Sequence, residues 1–453
     1  MVTTVVGMNA HQRAVDAVRA YYRGIPTGTK VQLAKQTSNL FRPRTRTGSG
    51  LDVSDLDGVI GVDVQARTAD VQGMCTYERL VEVTLAHGLM PLVVPQLKSI
   101  TLGGAVTGLG IESSSLRNGL PHESVLEMDI LTGDASLVTA SPDEHSDLFE
   151  AFPNSYGSLG YALRLRIRLQ PVSAFVTLRH VRFPSLDQLT AAVAAIAETG
   201  TWQDEQVDFV DGVVFEPAES YLTLGGWSTR GEPSDYTGQQ IYYRSIRDRE
   251  HDCLTVHDYL WRWDTDWFWC SSAFGLEHPL VRRLWPRRYR RSDVYHRLVA
   301  LENRYSITAR VDRRRGRPAR ERVVQDVEVP LEQTAEFLTW FTDQVGMSPV
   351  WLCPVRMQRH WPLYPLEPGR SYVNIGFWGT VPIRPGCRDG DVNRAVEQAV
   401  ADFGGHKSLY SDVYYERDTF DAMYGGEALR TVKKRYDPLD RLTGMYEKVA
   451  GSR

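Results

Sequence analysis

Long apolar runs are missing from the 453-residue chain: no stretch reaches 18 uncharged apolar residues, so no segment reads as a transmembrane helix. The opening MVTTVVGMNAHQ has no basic n-region and no apolar stretch, and does not read as a signal peptide. Cysteine is scarce. Cys75, Cys253, Cys270, Cys353 and Cys387 are scattered with no CxxC pair, which argues against a disulfide framework or a zinc site and suits a reducing cytoplasm. Neither charge dominates: 52 Lys and Arg against 56 Asp and Glu give −4, no electrostatic case for nucleic acid. No GxxxxGK[ST] loop and no GxGxxG after a strand occur, which removes P-loop and Rossmann nucleotide sites. The GSLG at 157–160 is not a nucleophile elbow. His251 and His257 lack a third ligand at a metal-binding spacing, so no metal is expected.

What is present is a 42% hydrophobic, 24% charged composition, the mix of a globular chain with an ample core. At roughly 150 residues per domain, two or three domains are expected. Residues 9–23 read as a helix with Asn9 as a possible cap. Val62, Val64 and Val71 suggest paired strands, Tyr77–His87 a helix and Met90–Val94 a buried strand. Val125–Ile130 and Ser136–Thr139 read as a hairpin around a TGD turn. Ser141-Pro142-Asp143-Glu144 has the form of a capping box opening the helix that carries Leu148 and Phe149. Leu163, Leu165, Ile167 and Leu169 alternate with arginines, a half-buried strand that closes a first α+β lobe near Pro171. A second lobe carries a helix at 185–198, aromatic-rich strands and an RRRGRPAR run at 313–320 that reads as a solvated loop or a phosphate or headgroup contact. A helix from Val392 to Phe403 and a Tyr-rich segment follow.

The stretch PQLKSITLGGAVTGLGIESSSLRNG, 95–119, is the main candidate for ligand binding. Gly103, Gly104, Gly108 and Gly110 allow close backbone approach, and Ser113, Ser114 and Ser115 could ring an anionic pyrophosphate. Gly157 and Gly160 offer a second close-approach loop in the same lobe. Tight turns alone would also account for these glycines.

The 95–119 stretch, the segment TASPDEHSDLFEAFPNSYGSLGYALRLRIRLQP and the order of elements before it resemble the PCMH-type (vanillyl-alcohol-oxidase-like) FAD-binding domain. GLGIESSS resembles the delta-24 sterol reductase branch in particular. The likeness continues through RVVQDVEVP (322–330), SPVWLCPV (348–355), YVNIGFWG (372–379) and LYSDVYYERDTF (409–420). The N-terminal membrane segment of the eukaryotic reductases has no counterpart here, and the superfamily's first glycine-rich pyrophosphate loop is represented only by AKQTSNLF at 34–41. The resemblance implies an α+β FAD-binding domain of two subdomains at 1–172, an α+β substrate-capping domain at 173–404, and a segment from 405–453 returning to the flavin domain. FAD would lie against Lys35, Thr37, Ser38, Asn39, Pro95, Ser99, Thr101, the 103–110 glycines, Ile111, Ser113, Ser114, Gly157 and Gly160. Neither 30–42 nor 95–119 holds a His or Cys, so a non-covalent flavin is expected; His122, the nearest, reads as structural.

The resembling branch implies reduction of a lipid C=C bond, with NADPH docking transiently as hydride source. An alcohol oxidase and a flavin-binding accessory protein without turnover are the alternatives. Two lipids fit, a sterol side-chain alkene and a 10-methylene acyl chain. The Arg-rich, Lys-poor composition suits a bacterium and tips the balance to the second, with a lipid methyltransferase as pathway partner. Candidate proton donors are Glu112, within the flavin loop, and Tyr410, Asp412 and Tyr414, which would share one face of a strand. Lys98 reads as an exposed lysine or a phosphate neutraliser. Trp261, Trp263, Trp267, Phe268 and Trp269, followed by arginines between 282 and 297, read either as core or as a lipid-facing patch for peripheral membrane contact.

Overall fold

The structure, a computed structural model, describes residues 5–34, 48–305, 310, 314 and 316–450. Two lobes are each built on an antiparallel sheet. In the first, the helix Met8–Gly24 buries His11, Val15, Val18 and Tyr22 along one face. It starts after Gly7 without a side-chain cap, so Asn9 lies inside the helix and not at its end. β1 (Val31–Leu33) pairs in parallel with β2 (Ser49–Leu51) beside it. The sheet proper comprises β3 (Val59–Asp63), β4 (Thr68–Gln72), β5 (Leu89–Pro91), β6 (Val125–Leu131), β7 (Leu137–Ala140) and β8 (Tyr161–Pro171). Its order is β3-β4-β8-β6-β7, with β5 on the far end of β8.

β8 is the axis of this sheet because its alternation is so regular. Leu163, Leu165, Ile167 and Leu169 are all buried. On the other face Arg164 is held by Asp70 and Asp129 at 2.6 Å each and by Glu127, three carboxylates on the two flanking strands. The basic side of the strand is therefore ion-paired at its centre. The expected capping box behaves differently. Ser141 Oγ accepts from the N–H groups of Asp143 and Glu144, but the Glu144 carbonyl turns back to the Ser141 N–H at 2.8 Å and closes a turn. His145 then takes a left-handed conformation (φ 49°), and the helix Ser146–Ala151 starts only after it.

The second lobe adds β9 (Phe175–Phe183), the short pair β10 (Thr201–Trp202) and β11 (Glu205–Gln206), then β12 (Phe209–Glu216), β13 (Glu219–Ser228), β14 (His251–Thr255), β15 (Arg320–Pro330), β16 (Val350–Arg356), β17 (Ser371–Pro382) and β18 (His406–Lys407). Eight of these form one sheet in the order β14-β9-β13-β12-β16-β17-β15-β18. Period-two alternation gives it two unlike faces. Val210, Val214, Val323, Val327, Leu352, Ile375 and Phe377 pack under the helices Leu186–Thr199, Thr334–Gln344 and Asp391–Asp402. The opposite face turns to the first lobe and carries Asp211, Cys353, Asn374, Gly376, Trp378, Asp326 and Glu328 in alternate positions. An apolar face is covered; a mixed, titratable face meets the other lobe.

Trp261, Trp263, Trp267, Phe268 and Trp269 lie inside this junction, none more than 7% exposed. They are core, which corrects the lipid-facing reading. Trp263 stacks on Phe268 at 4.9 Å, and Phe268 lies 4.4 Å from Trp378. After β18 the chain crosses back. The helix Gly426–Tyr436 docks on the first lobe, where the Tyr436 hydroxyl donates to Asp147 at 2.9 Å.

Candidate functional site

The glycine-rich stretch begins as a loop and contains the short helix Leu102–Thr107, capped by Thr101 Oγ1, which accepts from the Gly104 N–H at 3.2 Å. A Cβ on Gly103 would strike the Gly73 carbonyl, and one on Gly110 would strike Pro95. Gly108 is packed by Tyr156, and Gly157 and Gly160 by Tyr161 and the Leu131 carbonyl. These glycines let the protein pack on itself. Gly104 is different: it is exposed, and a Cβ there would meet only the Thr101 hydroxyl. Pro95 and Ile111 are buried core neighbours.

The two loops do adjoin. The Tyr156 N–H donates to Thr107 O at 2.7 Å, and the Asn154 N–H to Val106 O at 3.3 Å. Asn154 and Tyr156 both hold positive φ, 58° and 51°, a strained pairing for residues with side chains. On these two stretches the Oγ of Ser99 and of Ser155, the Gln96 Nε2 and the Asn154 Oδ1 and Nδ2 are buried with no partner. Buried polar atoms are seldom left unpaired, and a ligand rich in polar atoms would satisfy them.

The serines are spent otherwise. Ser113 Oγ donates to Glu112 Oε1 at 2.5 Å and lies 2.6 Å from the Tyr259 hydroxyl; Ser114 Oγ donates to Leu92 O at 2.9 Å. Ser115 Oγ accepts from the Glu112 N–H at 3.1 Å. All three are buried. Glu112 is itself a clamp between lobes: Arg262 Nη2 donates to it at 3.0 Å and to Asp211 Oδ2 at 2.9 Å, with the guanidinium fully enclosed. Burial pushes the Glu112 carboxyl above its ordinary range, while Arg262 pulls the other way.

Tyr410, Asp412 and Tyr414 do not share a strand face, because residues 409–416 are irregular. Tyr410 points inward and accepts from Trp378 Nε1 at 2.8 Å. Asp412 meets Arg322 at 3.3 Å, and Tyr414 lies under Arg394, 5.2 Å from its ring. Lys98 is mostly buried, 3.6 Å from Glu78 and 5.7 Å from the Trp261 ring. His122 is buried against Trp361 at 4.5 Å and pushed down to about 3 by burial, a neutral core residue. Lys35, Thr37, Ser38 and Asn39 lie outside the described residues. No metal-binding cluster occurs among the described residues.

Two acids stand out that the motif reading passed over. Asp326 and Glu328 occupy alternate positions of β15 and so face the first lobe together. Burial pushes Asp326 up to about 7, with Asn374 and Tyr410 hydrogen-bonded to it. It pushes Glu328 up to about 8, with the hydroxyls of Tyr364 and Ser408 donating to it. The pattern V-Q-D-V-E-V, acids interleaved with valines on a strand, was the signal available.

Residues 9–141 match the FAD binding domain family. The chain carries an FAD-binding domain. The matched segment holds the Gly104 loop and ends ahead of the 154–160 loop, so the orphaned polar atoms fall on both sides of its boundary. The chain is also similar to cytokinin dehydrogenase 2 of Oryza sativa subsp. japonica, 34% identical over 124 residues, 27% of this chain and 22% of that one. Likeness to the Delta(24)-sterol reductases runs much further. The Homo sapiens protein is 25% identical over 421 residues, covering 87% of this chain and 76% of its own; the Arabidopsis thaliana protein is 25% identical over 454 residues, covering 88% and 76%. An open Gly104, adjoining loops and unpaired polar atoms suit a flavin nucleotide in this lobe.

Proposed function

We propose that this FAD-dependent oxidoreductase reduces an isolated C=C bond of a lipid, with NADPH as the hydride source. One observation carries the reading: similarity to the Delta(24)-sterol reductases runs over 87% of this chain, more than the FAD-binding lobe can hold, whereas similarity to the cytokinin dehydrogenase covers 27% of it. The latter keeps flavin oxidation of another substrate as the second reading. The substrate is a sterol side-chain alkene or a 10-methylene acyl chain, the second supplied by a lipid methyltransferase.

The residues assigned to the flavin are Thr101 and Gly104 at the helix start, Ser99 on the approach, Asn154 and Ser155 in the adjoining loop, and Lys35 to Asn39, with Gly103, Gly157 and Gly160 letting the loops pack behind them. Pro95, Gly108, Gly110, Ile111, Ser113 and Ser114 shape the loop from behind. When bound, the flavin supplies hydride chemistry. Glu112, Tyr410, Asp412 and Tyr414 are the proton-donor candidates, of which Tyr410 faces the junction of the lobes. An isolated alkene has no carbonyl to draw hydride onto it, so protonation comes first and leaves positive charge on the more substituted carbon. Aromatic faces such as those of Phe268 and Trp378 stabilise such a charge by about 1–2 kcal/mol each when desolvated. The flavin is held without a covalent bond.

The lipid is reached from a membrane surface. Leu280 and Leu284, one turn apart, are 67% and 83% exposed, and no acid occurs between 278 and 292 while Arg283, Arg287 and Arg288 are exposed there. No helix among the described residues is long and apolar enough to cross a membrane. The test of function is anaerobic: NADPH should bleach the flavin, and alkene alone should restore its colour. Recovery only with oxygen would favour the oxidase reading.

A further inference from the structure

We propose that Asp326 is the proton store for alkene reduction and that the Tyr410 hydroxyl relays its proton to the substrate. The inference rests on the reading of alkene reduction above and names the acid that reading leaves open. Geometry carries it. Tyr410 oxygen is occupied by the Trp378 indole N–H at 2.8 Å, and the same tyrosine is hydrogen-bonded to the Asp326 carboxyl. Asn374 Nδ2 donates to Asp326 Oδ1 at 3.3 Å from the neighbouring strand, which fixes the carboxyl in place. Gly376 makes this possible, since a Cβ there would run into both Asp326 Oδ1 and the Trp378 ring. Asp326, Tyr410 and Trp378 are each only half-buried although they lie between the lobes, so the chain of donors opens onto the junction rather than into packed core.

Among the described residues no unpaired cation adjoins this group. Around Asp326 the titratable neighbours are Glu328 on its own strand, Tyr410 from the tail, Cys353 from β16 and, beside Tyr410, Cys270 from the aromatic segment. Both thiols are pushed up by burial and stay neutral. The Asp412–Arg322 pair is engaged with itself at 3.3 Å. An acid among neutral neighbours, and next to a second acid, keeps its proton near neutrality. In the step, the Tyr410 O–H bond breaks as a C–H bond forms on the less substituted alkene carbon. The Asp326 proton moves to the tyrosine oxygen, leaving a carboxylate that water reprotonates. The hydride that completes the addition at the other alkene carbon would be the chemistry a bound, reduced flavin supplies.

Two measurements test this on the flavin-loaded enzyme. In infrared difference spectra between wild type and Asp326→Asn, one carboxylic-acid carbonyl band present only in the wild type should titrate near pH 7 and shift in deuterated water. In stopped flow, Asp326→Asn should leave bleaching by NADPH unchanged and slow alkene-driven recovery at least about 100-fold, the scale of general-acid catalysis. Wild-type recovery should fall as pH rises through about 7, and the variant should be flat. If Asp326→Asn does not fold, Tyr410→Phe serves: the infrared band should persist while recovery slows by the same factor. Recovery within threefold of wild type in either variant overturns the relay and leaves alkene reduction standing. A wild-type enzyme that bleaches with NADPH yet never recovers with alkene overturns the reductase reading, and the relay with it.

Discussion

Replacing Glu328 by Gln should make the protein more stable in alkali and leave it little changed in acid. The carboxyl is 1% exposed, accepts from the hydroxyls of Tyr364 and Ser408, and has Asp326 two residues away on the same face. Burial raises it from the ordinary 4.5 to about 8. A group raised in the folded state stabilises fully below its unfolded value and loses that contribution as pH climbs through the folded one. The window is therefore about pH 4.5 to 8. Within it, stability should fall by up to about 1.4 kcal/mol per pH unit from this group, or about 5 kcal/mol across the whole interval. The amide keeps the shape of the neutral acid and does not titrate; one of the two hydroxyls turns to accept from its N–H. Urea unfolding from pH 5 to 9 is the assay, read as the midpoint of each curve. The two proteins should coincide near pH 5, and the variant should be the more stable by several kcal/mol at pH 9. Midpoint-against-pH curves that stay parallel over the range would refute the placement of a neutral acid at this site.

Gly104→Val should yield folded protein that loses flavin at least tenfold more readily, because its side chain enters the space at the exposed glycine of the 95–119 loop; full occupancy after purification would show the cofactor lies elsewhere. Acid precipitation should free the yellow chromophore into the supernatant, and colour retained in the pellet would reveal a covalent link. Sedimentation with anionic vesicles should exceed that with neutral ones and weaken with salt, since screening acts over about 10 Å at 0.1 M; Leu284→Ser should reduce it further, and unaltered binding would remove that helix from the contact. In deuterated water the product should carry solvent label on the less substituted carbon; label on the tertiary carbon would mean hydride adds first.

Local signals in the sequence determined the elements whose cause is local. The alternation of Leu163 to Leu169 made β8, and the Val15–Val18–Tyr22 spacing made the first helix, because side-chain periodicity fixes which face can be buried. The glycine-rich 95–119 stretch was legible as a place of close backbone approach for the same reason, since such approach depends on the residue itself. What tertiary structure decided were the partners. Ser113 to Ser115 look like anion ligands in isolation, yet their hydroxyls are claimed by Glu112, Tyr259 and Leu92, residues up to 146 positions away. The Ser141–Glu144 signal made a turn because His145 left the helical path. Tyr410, Asp412 and Tyr414 were separated by an irregular backbone that their spacing could not report. The tryptophans were drawn into the interior by the meeting of two lobes. Asp326 and Glu328 came to hold their protons more tightly only there, since desolvation belongs to the surroundings of a carboxyl and not to its place in a sequence.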